Sequence, residues 1–341
     1  MVYTILLILF MVLLFSSFKI TNNTNTSYLD IKNTTHIKGL CALLITIHHL
    51  AYDMNNLFIL YEPIKYIGFI LVSLFFFFSG YGLMNGLLNK KDYLKGFISK
   101  RLLFLLLPYL IVIICYYCII LFQGQSINIF KFIYMMLFAK RLGATWFVTA
   151  IMTLYIMFYI IFSNFNIKKG TNIFLWLIII YVIISSIINI PSQWFSSIIG
   201  FWYGLYYKNN EEKLYNKLSS KYTKNLFTFL FLFVTLFVSR LVISMFVTDT
   251  ELLHGVFRNV ISILFITSCL LLFMKIKFNN NVLLWFGSIS YEIYLVHPFI
   301  LSILKSFNYG DSIHVILSIL LTIIFAYILN KFSSIIKKIQ I

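Results

Sequence analysis

Long apolar stretches, each close to the length that crosses a bilayer, leave this chain little freedom in how it folds. Eleven of them fall near 2–19, 38–59, 64–88, 101–122, 145–163, 172–190, 193–207, 225–247, 257–275, 282–304 and 312–330. Crossing the hydrocarbon layer takes about 20 residues. A backbone in lipid must satisfy its own polar groups, so the stretches read as helices. The expected fold class is an all-α integral membrane protein, a polytopic bundle of about eleven transmembrane helices.

Composition agrees. Of 341 residues, 61% are hydrophobic and only 11% charged, against roughly 25% charged in soluble domains. The net charge of +17 would suit nucleic acid, but the basic residues bunch beside the ends of apolar runs, where the positive-inside rule places them. No nucleic-acid partner is expected. Richness in Asn, Ile and Lys suits an AT-rich bacterial genome, so the expected location is the bacterial cytoplasmic membrane.

Lysines and arginines crowd the connections at Lys90–Arg101, Lys168–Lys169, Lys208–Lys224 and Lys275–Lys277, and the tail after Lys331. Those belong in the cytoplasm. The connections near 60–63, 190–192, 248–256 and 305–311 carry few basic residues and belong outside. Alternation then needs 128–139, which holds Lys131, to lie in the interface or dip back, giving an outside N-terminus and a cytoplasmic C-terminus. Residues 1–20 have no basic residue before Lys19 and no small-residue cleavage site, so they read as a retained helix. The chain divides into an N-terminal transmembrane helix and cytoplasmic linker (1–36), a transmembrane core (37–335) and a short cytoplasmic tail (336–341). Cys41, Cys115, Cys118 and Cys269 all fall inside apolar runs and read as core packing.

The stretch IKGLCALLITIHHL at 37–50 places Lys38 at the cytoplasmic mouth of its run and His48-His49 inside it. His49 follows Lys38 by eleven residues, a rise of about 16 Å, and eleven steps of about 100° bring both to one face. His48 points about 100° away. Asp53, four residues beyond His49, returns to that face and can accept its ring N–H, fixing the tautomer a base needs. A histidine in a span is more often a hydrogen-bonded packing residue than a catalyst, but ionisable groups in a bilayer are costly and mark functional paths.

In SYEIYLVHPF at 290–299, Glu292 lies about 15 Å deep and His297 about 22 Å if the run enters near Val282. Depth makes Glu292 a partner for His49; the alternative is a bond to hydroxyls on neighbouring helices. Pro298 frees a backbone carbonyl one turn earlier, and His297 either serves the site or satisfies local polar groups. Arg240, deep in its run, cannot easily snorkel and is expected to face a polar cavity. Arg258 and His254, at the outer end of the next run, would join it in holding an anionic or hydroxyl-rich acceptor, or else tie down a buried carboxylate. Trp146, Trp194, Trp202 and Trp285 read as interfacial belt or packing. No P-loop, zinc signature, dinucleotide fingerprint or nucleophile elbow occurs, so neither ATP-driven transport by this chain alone nor metal chemistry leads, and no metal is expected.

These motifs resemble those of the membrane acyltransferase-3 family. IKGLCALLITIHHL is similar to its first segment, in which a histidine stands eleven residues after an arginine; that spacing gives His49, not His48, the catalytic place. LFFFFSGYGLM (74–84), SKRLLFLLLPYLI (99–111), TWFVTAIMTLY (145–155) and LWFGSISYEIYLVHPFIL (284–301) look like four further segments, in family order. Lys38 stands where the family has arginine, keeping the charge but losing the bidentate fork, and Phe104 stands where a second arginine would follow Arg101. The resemblance implies a ten-helix core preceded by one extra N-terminal helix, and an acyl-coenzyme A-dependent carbohydrate O-acyltransferase.

In that reading Lys38, Arg101 and Lys100 meet the phosphates of acyl-coenzyme A, acetyl-coenzyme A foremost. His49, oriented by Asp53 or Glu292, takes the proton of an acceptor hydroxyl as it attacks the thioester; a transient acyl-histidine is the variant. Tyr291, Tyr294 or Ser79 would hydrogen-bond the oxyanion, and spacing does not select among them. Arg240, Arg258, His297 and Tyr294 would bind the acceptor, a surface polysaccharide or its lipid-linked precursor. Membrane lipid and the machinery of polysaccharide synthesis or export are the other expected partners. The rival readings are an exporter or flippase of a polysaccharide or lipid-linked sugar, which needs no coenzyme A site, and a structural subunit of a synthase complex.

Overall fold

The computed structural model describes residues 18–53, 59–122, 124, 128–130, 132–133, 146–246, 251–307 and 310–339, with the side chains at 53, 59–62, 244–246, 251–254 and 337–339 outside it. Twelve α-helices occur among the described residues: α1 (Ile31–Asp53), α2 (Gly68–Asn89), α3 (Phe97–Phe122), α4 (Trp146–Asn164), α5 (Ile167–Ile187), α6 (Ile199–Asn209), α7 (Glu211–Ser220), α8 (Tyr222–Phe246), α9 (Glu251–Lys275), α10 (Asn281–Ser288), α11 (Ser290–Lys305) and α12 (Asp311–Ile339). Seven of them (α2, α3, α4, α5, α8, α9 and α12) are long and apolar enough to cross a membrane, and an eighth span forms if α10 and α11, bent by 73°, are taken together. The chain is a multi-pass membrane protein.

Backbone contact at glycines sets the tightest helix pairs. A Cβ on Gly80 of α2 would run into the Phe201 carbonyl, and Cβ atoms on Gly200 and Gly204 of α6 would run into the carbonyls of Ser73 and Phe77. Small residues at a four-residue spacing let membrane helices approach this closely, since lipid supplies no hydrophobic drive for association. Phe76, Phe77 and Phe201 are then fully buried beside the contact. The same device joins α1 to α10, where Gly39 meets the backbone of Leu283 and Gly287, and Gly287 meets the Thr35 carbonyl. That contact fixes the helix bearing Lys38 and His49 against the one leading into Tyr294 and His297.

One end of the bundle gathers the lysine-rich connections. There Phe18–Ile20 (β1) pairs antiparallel with Ile276–Phe278 (β2), with Lys19 opposite Lys277. Tyr28 and Tyr207 share a hydroxyl–hydroxyl bond of 2.5 Å, and Tyr81 donates to Glu211 at 2.6 Å.

Several expectations change. The first apolar run lies almost wholly outside the described residues, and its end at 18–19 belongs to a strand. The run at 193–207 is a 3-10 turn, Ser192–Trp194, followed by α6, whose 11 residues rise about 16 Å and cannot cross a bilayer. The run at 282–304 is two helices broken at Ile289, with φ −115° and ψ 16°. Of 128–139 only Asn128, Ile129, Phe130, Phe132 and Ile133 are described, and Phe132 packs on Tyr117 at 4.3 Å. Cys41 and Cys269 are buried, but Cys115 and Cys118 lie exposed on α3, so core packing holds for only two of the four.

Candidate active site

Among the described residues, the candidate side chains line two cavities. The first, of ≈ 230 Å³, is lined by Lys38, Arg101, Ser79 and Tyr155, with Phe147, Tyr291 and Tyr294 among the aromatic side chains at its wall. Lys38 projects over the Phe78 ring at 5.8 Å. Arg101 donates to the Tyr93 hydroxyl at 2.9 Å. Lys100, the third basic candidate, is exposed and is not among the lining residues, because it sits one step round α3 from Arg101. The second cavity, of ≈ 280 Å³, is lined by His48, His49, Arg240, Arg258, Lys65, Tyr52 and Trp146, and again by Tyr294. Tyr294 thus walls both, and it packs on Phe147 and His297 at centroid distances of 4.9 and 5.7 Å.

The three histidines have different commitments. His48 Nδ1 lies 2.8 Å from the Ile64 carbonyl, and since a carbonyl only accepts, that nitrogen carries the proton. His297 is fully buried and spends its Nδ1–H on the Ile293 carbonyl at 3.0 Å, the i−4 carbonyl of a helix loosened by Pro298, and its Nε2 has no partner among the described residues. His49 stands between them, with ring centroids 4.9 Å from His48 and 5.0 Å from His297. Neither ring nitrogen of His49 bonds another described residue, and the ring fronts the cavity.

The partner beside His49 is therefore His297, where depth along the run had favoured Glu292. Glu292 accepts from Asn330 of α12 at 3.0 Å and lines neither of these cavities. Helical angle explains this: Glu292 lies two residues, about 200°, from Tyr294, so when one faces the cavities the other faces α12. Asp53 closes α1, but its side chain lies outside the described residues, as does that of His254.

Among the hydroxyls considered for the oxyanion, Tyr291 is committed to the Leu105 carbonyl at 2.8 Å, and Ser79 makes a long 3.4 Å contact with Tyr155. The Tyr294 hydroxyl has no partner among the described residues. Arg240 and Arg258 flank one ring, that of Phe69, at 5.1 and 5.9 Å. Arg258 also donates to Ser192 Oγ at 2.5 Å. Trp146 is buried at the cavity wall rather than in an interfacial belt. Tyr52, Lys65, Phe69, Ser196 and Ser197 were not foreseen. They arrive from the segments around α1 and α6, and Ser197 is fixed by donating to the Phe69 carbonyl at 2.8 Å, with Asn259 clamping Phe195 and Ile199.

The described residues thus make a multi-pass helical membrane protein in which two cavities, one of them fronted by His49, meet at Tyr294. The sequence matches the acyltransferase-3 family, described as an acyltransferase domain, over residues 28–331, and the chain belongs to that family. No curated protein and no solved structure matches it.

Proposed function

We propose that this protein is an O-acyltransferase that takes an acyl group from acyl-coenzyme A, held in the Lys38–Arg101 cavity, to a hydroxyl of a cell-surface polysaccharide or its lipid-linked precursor, held in the His49 cavity. The observation that carries the reading is Tyr294, shared by the two cavities. A donor and an acceptor entering separately would meet at that side chain. The basic end matches the expected cytoplasmic side, where Lys38 and Arg101 offer charge to coenzyme A phosphates.

His49 is the base. It removes the acceptor proton as the oxygen attacks the thioester carbonyl, and the Tyr294 hydroxyl donates to the oxygen that gains charge. The sulfur leaves and takes up a proton, so the reaction needs no net proton source. His297, with Nδ1 committed, presents only a lone pair on Nε2 and is suited to steady the imidazolium of His49. Tyr294, shared by the two cavities and packed on Phe147, suits a meeting point of two substrates better than an open export path. Calorimetry of acetyl-coenzyme A binding to protein in nanodiscs tests the assignment. Binding weakened by Lys38→Ala and retained by His49→Ala supports it; a folded protein that binds no acyl donor refutes it.

A further inference from the structure

Arg240 sits where a charge is hardest to justify. Helix α8 is the outermost of the long helices, with only 6% of its apolar window buried. Among its described side chains the buried one is the arginine, at 8% exposure. Its Nε and Nη1 are buried without a hydrogen-bond partner among the described residues. The helix therefore turns its apolar surface to lipid, leaves Lys224 exposed at its start and turns Arg240 inward, into the cavity of His49 and Tyr294.

Nothing described there neutralises it. Arg258 shares the Phe69 ring with it, Lys65 lines the same cavity, and no acidic side chain is among the described lining residues. A guanidinium taken from water with its N–H donors unfilled and like charges beside it costs folding stability, and such residues in bundles face a ligand or a water-filled path. The Phe69 face offsets part of the cost but leaves the N–H directions open. Those donors match the oxygens of a carboxylate or phosphate.

We propose that Arg240 anchors an anionic group of the acyl acceptor, a carboxylate or phosphate lying near the hydroxyl that is acylated. The acceptor is then a charged glycan, uronate-bearing or phosphate-bearing, and Arg240 sets that preference by position without touching the reacting atoms. The proposal rests on the acyltransferase reading of the His49 cavity.

The test is calorimetric titration of protein in nanodiscs of phosphatidylcholine, which has no net charge, with glucuronate, glucose 1-phosphate and glucose at constant ionic strength. At least one anionic sugar binds about tenfold or more tighter than glucose. Arg240→Gln reduces it to the level of glucose, and Arg240→Lys, which keeps the charge but not the fork, falls between. Equal or undetectable binding of all three sugars, or a preference that survives Arg240→Gln in a protein with wild-type melting behaviour, overturns the proposal. Displacement of the anionic sugars by phosphatidic acid added to the nanodiscs assigns the anchor to a lipid headgroup and overturns it too. So does a melting temperature lost in Arg240→Gln and regained in the double variant with Asp53→Asn, which identifies an internal ion pair. Anion selectivity in a protein that binds no acyl donor would leave the anchor standing and remove the transferase; donor binding without anion selectivity would do the reverse.

Discussion

His297 lies against His49 with ring centroids 5.0 Å apart, and it has one nitrogen tied to the backbone while His49 has neither engaged among the described residues. Two imidazoles in contact serve a base well only if one of them cannot compete for the proton's position. The bond from His297 Nδ1 to the Ile293 carbonyl makes that division.

Replacing His49 by Gln is expected to lower acyl transfer by about 10²–10⁴, the usual worth of a general base. Release of the coenzyme A thiol in nanodiscs measures it. His48→Gln is the contrast: it loses the bond to the Ile64 carbonyl, worth about 1 kcal/mol of stability, and leaves turnover near that of the parent. Equal losses in the two variants would remove His49 from the role of base.

Tyr294→Phe deletes one oxygen and no bulk. Turnover should fall by about 10²–10³ with the KM for acyl donor unchanged, as for loss of one oxyanion donor. Tyr291→Phe removes the bond to the Leu105 carbonyl and should appear as lost stability, about 1 kcal/mol, with turnover preserved. A steady-state comparison of the two variants separates these outcomes.

Lys38→Ala and Arg101→Ala are expected to raise the KM for acyl-coenzyme A while changing kcat little, and to flatten its dependence on salt. Lys38→Arg should preserve binding, since charge is retained. An unchanged KM in both alanine variants would place the donor elsewhere.

Gly80 and Gly82 lie two residues apart on α2, yet a Cβ at Gly80 meets the Phe201 backbone and one at Gly82 meets nothing within 4 Å. Gly80→Ala should destabilise by about 1–3 kcal/mol through overpacking, and Gly82→Ala should not. Thermal unfolding in detergent compares them directly.

How much of this could be read from the sequence follows from which physical signal each feature leaves. Long apolar helices announce themselves by length and hydropathy, so α2 to α5, α8, α9 and α12 were legible. The two strands were not, because three-residue ladders leave no periodicity to read. The 73° break between α10 and α11 hides in an apolar run carrying no proline at the break. In the site, the angular step from Lys38 to His49 indicated one face of α1, and each now fronts a cavity. Depth alone misdirected the search for a partner to Glu292, since it ignored the turn that sends Glu292 to Asn330. Lys65 and Ser197 come from short segments between spans and Phe69 from the first turn of α2, and only the tertiary packing brings them beside His49.

Tyr294 carries one more implication. A membrane that stores an electrical potential cannot tolerate a watery bore from one face to the other, and a transferase that admitted a substrate from each side would come within one side chain of making one. On the proposed reading, the phenol ring common to both cavities, packed on Phe147, is what would insulate one from the other. Trimming it to a small residue is expected to let ions leak through as well as to lower acylation through loss of the hydroxyl.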